Sequence, residues 1–150
     1  MAKKKQTKKP NVSNQKQTTK LPVPSVNQKA VWFFDNVDKG GIFAFNPSRD
    51  DFDAKVILEK IISYSSMTWR EIAEHTHDNG KSKHHFLDYK GLSDLAKKRL
   101  EEKAIGDDKW EQIFSFALTN KLRVIGLREN EKFHVLWYDP NHEVYPVKKR

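Results

Sequence analysis

The sequence predicts an α+β domain: two or three helices packed on a three- to five-stranded antiparallel sheet, behind a disordered basic tail. Three observations predict it. Apolar residues recur at helical spacing from Phe52 to Ile62 and again from Leu92 to Leu100. After Gly106-Asp107-Asp108 the apolar period becomes two, in successive runs separated by short turns. Residues 1–29 hold eight lysines and no acid, with almost nothing apolar before Leu21.

A segment of that composition cannot bury enough surface to offset its ordering entropy. Residues 1–29 are therefore expected to be a disordered tail, and 30–147 a single domain. Of the 28 basic residues, the tail takes eight, leaving 20 against 20 acidic residues in 30–150. The net charge of +8 thus belongs to the tail, with Lys148, Lys149 and Arg150 basic as well. The tail suits phosphate contacts with RNA or ribosome, or simple solubilisation. The chain has no cysteine, which rules out disulfides, thiolate metal sites and a cysteine nucleophile. No apolar run approaches the roughly 18 residues of a membrane span, and the basic N-terminus lacks a signal peptide's apolar core. A cytoplasmic location without membrane contact is the expectation.

Along the domain, Ala30 to Phe34 is a short apolar strand or docking segment, and Ile42 to Phe45 a second extended piece after the Gly40-Gly41 turn. Phe52, Val56, Ile57 or Leu58, Ile61 and Ile62 give the first helix. Thr68-Trp69-Arg70-Glu71 forms a capping box opening a short second helix that ends near His75. The loop from His75 to His85 carries four of the six histidines. Imidazoles two apart can share a cation, but no cysteine or tight carboxylate cluster completes a set, so solvated loop histidines are expected and no metal or cofactor is called for. His85 to Asp88 suggests a short strand. Ser93 caps a third helix to about Lys103, with Leu92, Leu95, Ala96, Arg99 and Leu100 as its stripe.

In the C-terminal sheet, Phe114, Phe116 and Leu118 alternate with Ile113, Ser115, Ala117 and Thr119, which predicts a half-buried strand. The run from Leu122 to Arg128 is partly apolar on both faces and should be central, with Gly126 a place for a bulge. Lys132 to Tyr138 follows, with Phe133, Val135 and Trp137 on one face and His134, Leu136 and Tyr138 on the other. Glu143 to Tyr145 suggests a fourth strand.

Such a sheet could cleave RNA without a metal. The ribose 2′-hydroxyl attacks the adjacent phosphorus, which needs a base, an acid for the leaving 5′-oxygen and a cation for the growing phosphate charge. Histidine can be acid or base, and arginine can pair two phosphate oxygens. Tyr138 or Trp137 could stack on a splayed base. A purely structural use of the same residues has His142 capping a turn against Asp139 and Arg123 pairing with a glutamate.

The stretch Phe116-Ala117-Leu118-Thr119-Asn120-Lys121-Leu122-Arg123-Val124-Ile125-Gly126, the strand Phe133 to Tyr138 and the following His142 carry a resemblance. Residues 93–146 resemble the RelE/ParE toxin superfamily of small bacterial ribonucleases and related toxins. The resemblance implies a RelE-like fold and an mRNA endoribonuclease toxin restrained by an antitoxin protein. It makes Arg123 the stabiliser of the scissile phosphate and His142 the general acid, with Glu102 or Lys121 as base. Lys121, Arg128, His134, Tyr138 and Arg99 would contact the nucleic acid. The alternative is a non-catalytic adaptor that binds protein or nucleic acid through its sheet and tail.

Overall fold

The computed structural model describes residues 23–77 and 80–147. In chain order these form β1 (Val31–Phe33), α1 (Ala54–Ser65), α2 (Trp69–Ala73), β2 (His85–Phe86), α3 (Asp94–Glu102), β3 (Ile113–Ala117), β4 (Arg123–Glu129) and β5 (Lys132–Asp139). Short 3-10 turns cover Ser25–Asn27, Tyr89–Gly91 and Asp107–Gln112. The fold is α+β, as the change of period predicts.

Residues 1–22 of the expected tail lie outside the described residues. The rest of it, 23–29, belongs to the domain. Trp69 N–H donates to the Gln28 carbonyl at 3.0 Å, and Arg70 Nε to Asn27 Oδ1 at 3.1 Å. The ordered unit therefore starts before residue 30, because α2 needs acceptors for its first turn.

The five strands lie in the order β1-β5-β4-β3-β2, with β4 at the centre. Neighbours joined by short turns are antiparallel, but β1 runs parallel to β5, pairing Val31 with Lys132. The sheet is thus mixed and not antiparallel throughout. No tight turn links β1 to β5, so nothing local dictates their relative direction.

Asp53 caps α1 by accepting the Val56 N–H at 3.1 Å, and α1 buries Ile57 and Tyr64 while Leu58 and Ile62 face out. Thr68 and Glu71 complete the capping box of α2. Ser93 caps α3, which buries Ala96 and Leu100. Leu95, expected in that stripe, is exposed. The helices cover both faces of the sheet. Residues of α1 and α2 pack with Phe114, Phe116, Val124, Phe133, Val135 and Tyr138. On the other face α3 packs with Ile113, Ile125, Leu136 and Trp137. For that reason β3 is buried along its whole length, where the alternation predicts only a half-buried strand.

A bulge sits in the β4–β5 ladder: Ile125 pairs with Trp137 but Gly126 pairs with Val135, leaving Leu136 extra. Gly126 permits the close approach, since a Cβ there would overlap the His134 carbonyl oxygen. The extra residue shifts the faces beyond it. Tyr138 joins Phe133 and Val135, and Trp137 joins Leu136 on the α3 side, the reverse of strict alternation.

Two expected extended pieces are not strands. Ile42 to Phe45 is a turn with a single bridge, Ala44 to Trp137. Glu143 to Tyr145 is a bend, because the buried Asp139 carboxylate takes the N–H groups of Glu143 (2.9 Å) and Val144 (2.8 Å). Beneath α3, the fully buried Asp38 accepts two hydrogen bonds from Arg99, both 2.7 Å, and one from Trp137 Nε1 at 3.0 Å. Burial alone would raise the Asp38 pKa, but Arg99, Trp137 and the Gly40 N–H together hold it below its ordinary value. Among the described residues no helix is long and apolar enough to cross a membrane.

Candidate nucleic-acid interface

Arg123 opens β4 at the rim of the sheet, and its side chain is largely buried. Its Nη1 donates to the carbonyls of Thr119 at 2.8 Å and Leu122 at 3.2 Å. Those bonds hold the guanidinium against the β3–β4 turn. Nε and Nη2 bond to no protein group among the described residues, so part of the fork stays available to a ligand. Among the described residues no glutamate pairs with it.

Two clefts meet at this side chain. The first, about 350 Å³, is lined by His77, Lys83, His85, Arg123, His142 and Tyr145 among others. The second, about 270 Å³, shares His77, Lys83 and Arg123 and adds Lys60, His75 and His84. Among the described residues neither cleft has an aspartate or glutamate in its lining. Arginine, lysines and imidazoles without a carboxylate make a surface suited to anions.

The fold positions each of these groups. Asp139, paired across the ladder with Arg123, anchors the turn that carries His142, whose backbone is left-handed at φ 59°. His142 itself does not cap that turn against Asp139; the carboxylate takes backbone N–H groups instead. Burial, then the positive charges of Arg123 and His85, lower the His142 pKa. A neutral His142 is fit to accept a proton. His85 closes the cleft from β2, with its Nδ1–H donating to the Phe86 carbonyl at 2.9 Å. That bond leaves Nε2 as the nitrogen that exchanges protons. Gly91 has no side chain because the Tyr145 ring occupies that space. Tyr145 thereby becomes a wall of the first cleft.

The histidine loop is not simply solvated. His84 is buried, and its Nδ1 accepts the Ala117 N–H at 3.1 Å where β2 has ended and that edge of β3 has no strand partner. Tyr64 completes the arrangement by donating its hydroxyl to the Ala117 carbonyl at 3.3 Å. With Nδ1 an acceptor, the His84 proton sits on Nε2, from which it makes a long bond, 3.4 Å, to His75 Nδ1. Nε2 therefore has no lone pair for a cation, which argues against a metal shared by these two rings. Among the described residues no group of three or more such ligands could hold a metal ion.

Burial, and then the electrostatic influence of His75, Lys83 and Arg123, push the His84 pKa down to about 3. The unfolded chain binds that proton near pH 6.5, so stability is full above pH 6.5 and is lost as pH falls from there towards 3. Between pH 7 and pH 5 the loss from His84 is about 2 kcal/mol, and His142 adds to it in the same direction. Urea denaturation at the two pH values measures it. His84→Asn, whose Oδ1 can take the Ala117 N–H, is expected to flatten the slope, and an unchanged slope would assign it elsewhere.

The other expected contact residues lie elsewhere. Arg99 is held by Asp38 and Glu102 under α3, which also occupies Glu102, one of the two expected bases. Arg128 lies on the opposite face of β4 from Arg123, its guanidinium 3.9 Å from the Trp69 ring centroid. His134 shares Arg123's face but sits four residues along the strand, about 13 Å away. There it pairs with Asp35 at 3.2 Å and stacks on Phe33. Tyr138 is buried, donating to the Asp51 carbonyl at 2.6 Å and accepting from Asp53 N–H at 3.0 Å, so it offers no face to a base. Trp137 is likewise buried. Lys121 is exposed in the β3–β4 turn and lines neither cleft. Of the expected site, the fold brings together Arg123 and His142. Lys60, Lys83, His85 and Tyr145 were not expected there. The histidine-rich loop was the available signal, obscured because periodicity does not reveal which loop folds back onto a strand end.

Residues 51–150 match the model of the family described as Uncharacterised protein UU032. The chain belongs to that family. The UU032 match spans α1 to β5 and takes in every residue lining the two clefts, while β1 and Asp38 precede it. No curated protein and no solved structure matches the chain.

Proposed function

We propose that the protein binds RNA in the first cleft and cleaves it without a metal ion. The observation that carries this reading is the cleft in which Arg123 keeps open donors beside His142 and His85, with no carboxylate among its described lining residues. Arg123 takes the scissile phosphate and stabilises the charge that grows on it. His142, as a neutral imidazole, removes the 2′-hydroxyl proton. The 2′-oxygen then bonds to phosphorus as the bond to the 5′-oxygen breaks. His85, once protonated, gives its Nε2 proton to that leaving oxygen. The products are a 2′,3′-cyclic phosphate and a free 5′-hydroxyl. Tyr145 offers a ring for the neighbouring base.

The resemblance to RelE/ParE toxins implies the same role for Arg123 but the acid role for His142, and it would add an antitoxin as partner, with growth arrest on induced expression. The purified chain incubated with RNA in excess EDTA is expected to yield the cyclic phosphate, identified by mass spectrometry. A 2′-deoxy substitution at the cut site should block cleavage. Cutting that survives this substitution would sink the mechanism, and binding without products would favour the adaptor.

A further inference from the structure

We propose that the second cleft is a separate anion subsite, which seats the phosphate adjacent to the scissile one. This rests on the RNA reading of the first cleft and narrows its substrate to RNA with at least two consecutive phosphates. The second cleft is walled by α1, the histidine loop and the β3–β4 turn, which supply Lys60, His75 and Asn120. Lys60 lines this cleft and not the first.

A fixed donor adds to the positive charge. The Ala117 N–H assigns the His84 proton to Nε2, and that proton occupies His75 Nδ1. With Nδ1 an acceptor, His75 carries its own hydrogen on Nε2, as a donor for an anion. The chain of bonds runs from the β3 backbone to the cleft, so the donor is preset by the fold. Arg123, His77 and Lys83 line both clefts and form the boundary between them. One RNA strand lying across that boundary would place successive phosphates on either side of Arg123. Thr119 and Asn120 at the turn add neutral polar groups that an anion can use. The first cleft has the more apolar walls, Leu87, Tyr145, Pro146 and Val147, which suit base and ribose.

Fluorescence anisotropy with the full chain tests this, using labelled dinucleotides whose 2′-hydroxyl at the cut site is removed. One ligand has the internal phosphate alone; two others add a phosphate at the 5′ or the 3′ end. One of the added phosphates is expected to tighten binding about tenfold and to steepen the salt slope by about 0.7. Lys60→Glu should erase that gain while leaving affinity for the single-phosphate ligand within about twofold. Lys60→Gln, milder for the helix, should remove most of it, with circular dichroism confirming the fold. A gain that persists in both variants, or no gain at either end, overturns the second subsite and leaves the first cleft standing. Failure of every oligonucleotide to bind overturns the RNA reading along with it.

Discussion

Arg123→Ala is expected to lower kcat for RNA cleavage about a thousandfold, the scale of removing a preorganised donor from a charge-developing site. The guanidinium is positioned before substrate arrives, because Nη1 is anchored on the Thr119 and Leu122 carbonyls. Little reorganisation is then needed as charge builds on the phosphate. The same anchoring means that alanine also costs stability, about 1.5–3 kcal/mol for charged hydrogen bonds. Arg123→Lys separates the two effects. Lysine keeps the charge but not the fork, so binding should fall modestly while kcat falls steeply. Single-turnover kinetics together with thermal melting make the comparison. Retained kcat in a folded Arg123→Ala would remove this residue from the chemistry.

The largest expected loss of stability lies away from the groove, at Asp38. Asp38→Ala should cost about 3–5 kcal/mol, the scale for breaking a buried ion pair by deleting one partner. The fully buried carboxylate serves the Arg99 guanidinium, Trp137 Nε1 and the Gly40 N–H at once. Its removal leaves those donors facing a void, and Lys103 loses a neighbour at 3.9 Å. Asp38→Asn keeps an acceptor for some of the donors and should lose less. Because the folded Asp38 pKa is depressed, its contribution is present above about pH 4 and disappears as pH falls further. Denaturant titration of both variants checks the order; equal stability of wild type and Asp38→Ala would refute it.

The sequence announces the elements whose signals are local. The Thr68–Glu71 capping box, the Ser93 cap and the two-sided apolar pattern of β4 each depend on residues a few positions apart. The parallel β1 and the face swap of Trp137 and Tyr138 depend on tertiary pairing, and one extra residue at Leu136 reverses what alternation implies. The site divides the same way. Arg123 and His142 stand out because they sit at strand ends. The histidine loop does not, since its value comes from the Ala117 N–H, which lacks a strand partner and takes His84 instead, as only the fold reveals. Arg99, Arg128, His134 and Tyr138 look equally suitable in one dimension, yet each is already engaged by a neighbour.

The parallel pairing of β1 with β5 bears on how the chain folds. Val31 to Phe33 and their partners Lys132 to His134 stand far apart in the chain. The antiparallel β3–β4–β5 meander can form by itself from short-range contacts, but its outer edge stays open until the distant N-terminal strand docks. Completion of the sheet therefore waits on a long-range contact, and not on any local turn. Until then the β5 edge is a template for strands from other chains, which makes high expression levels a hazard for this fold.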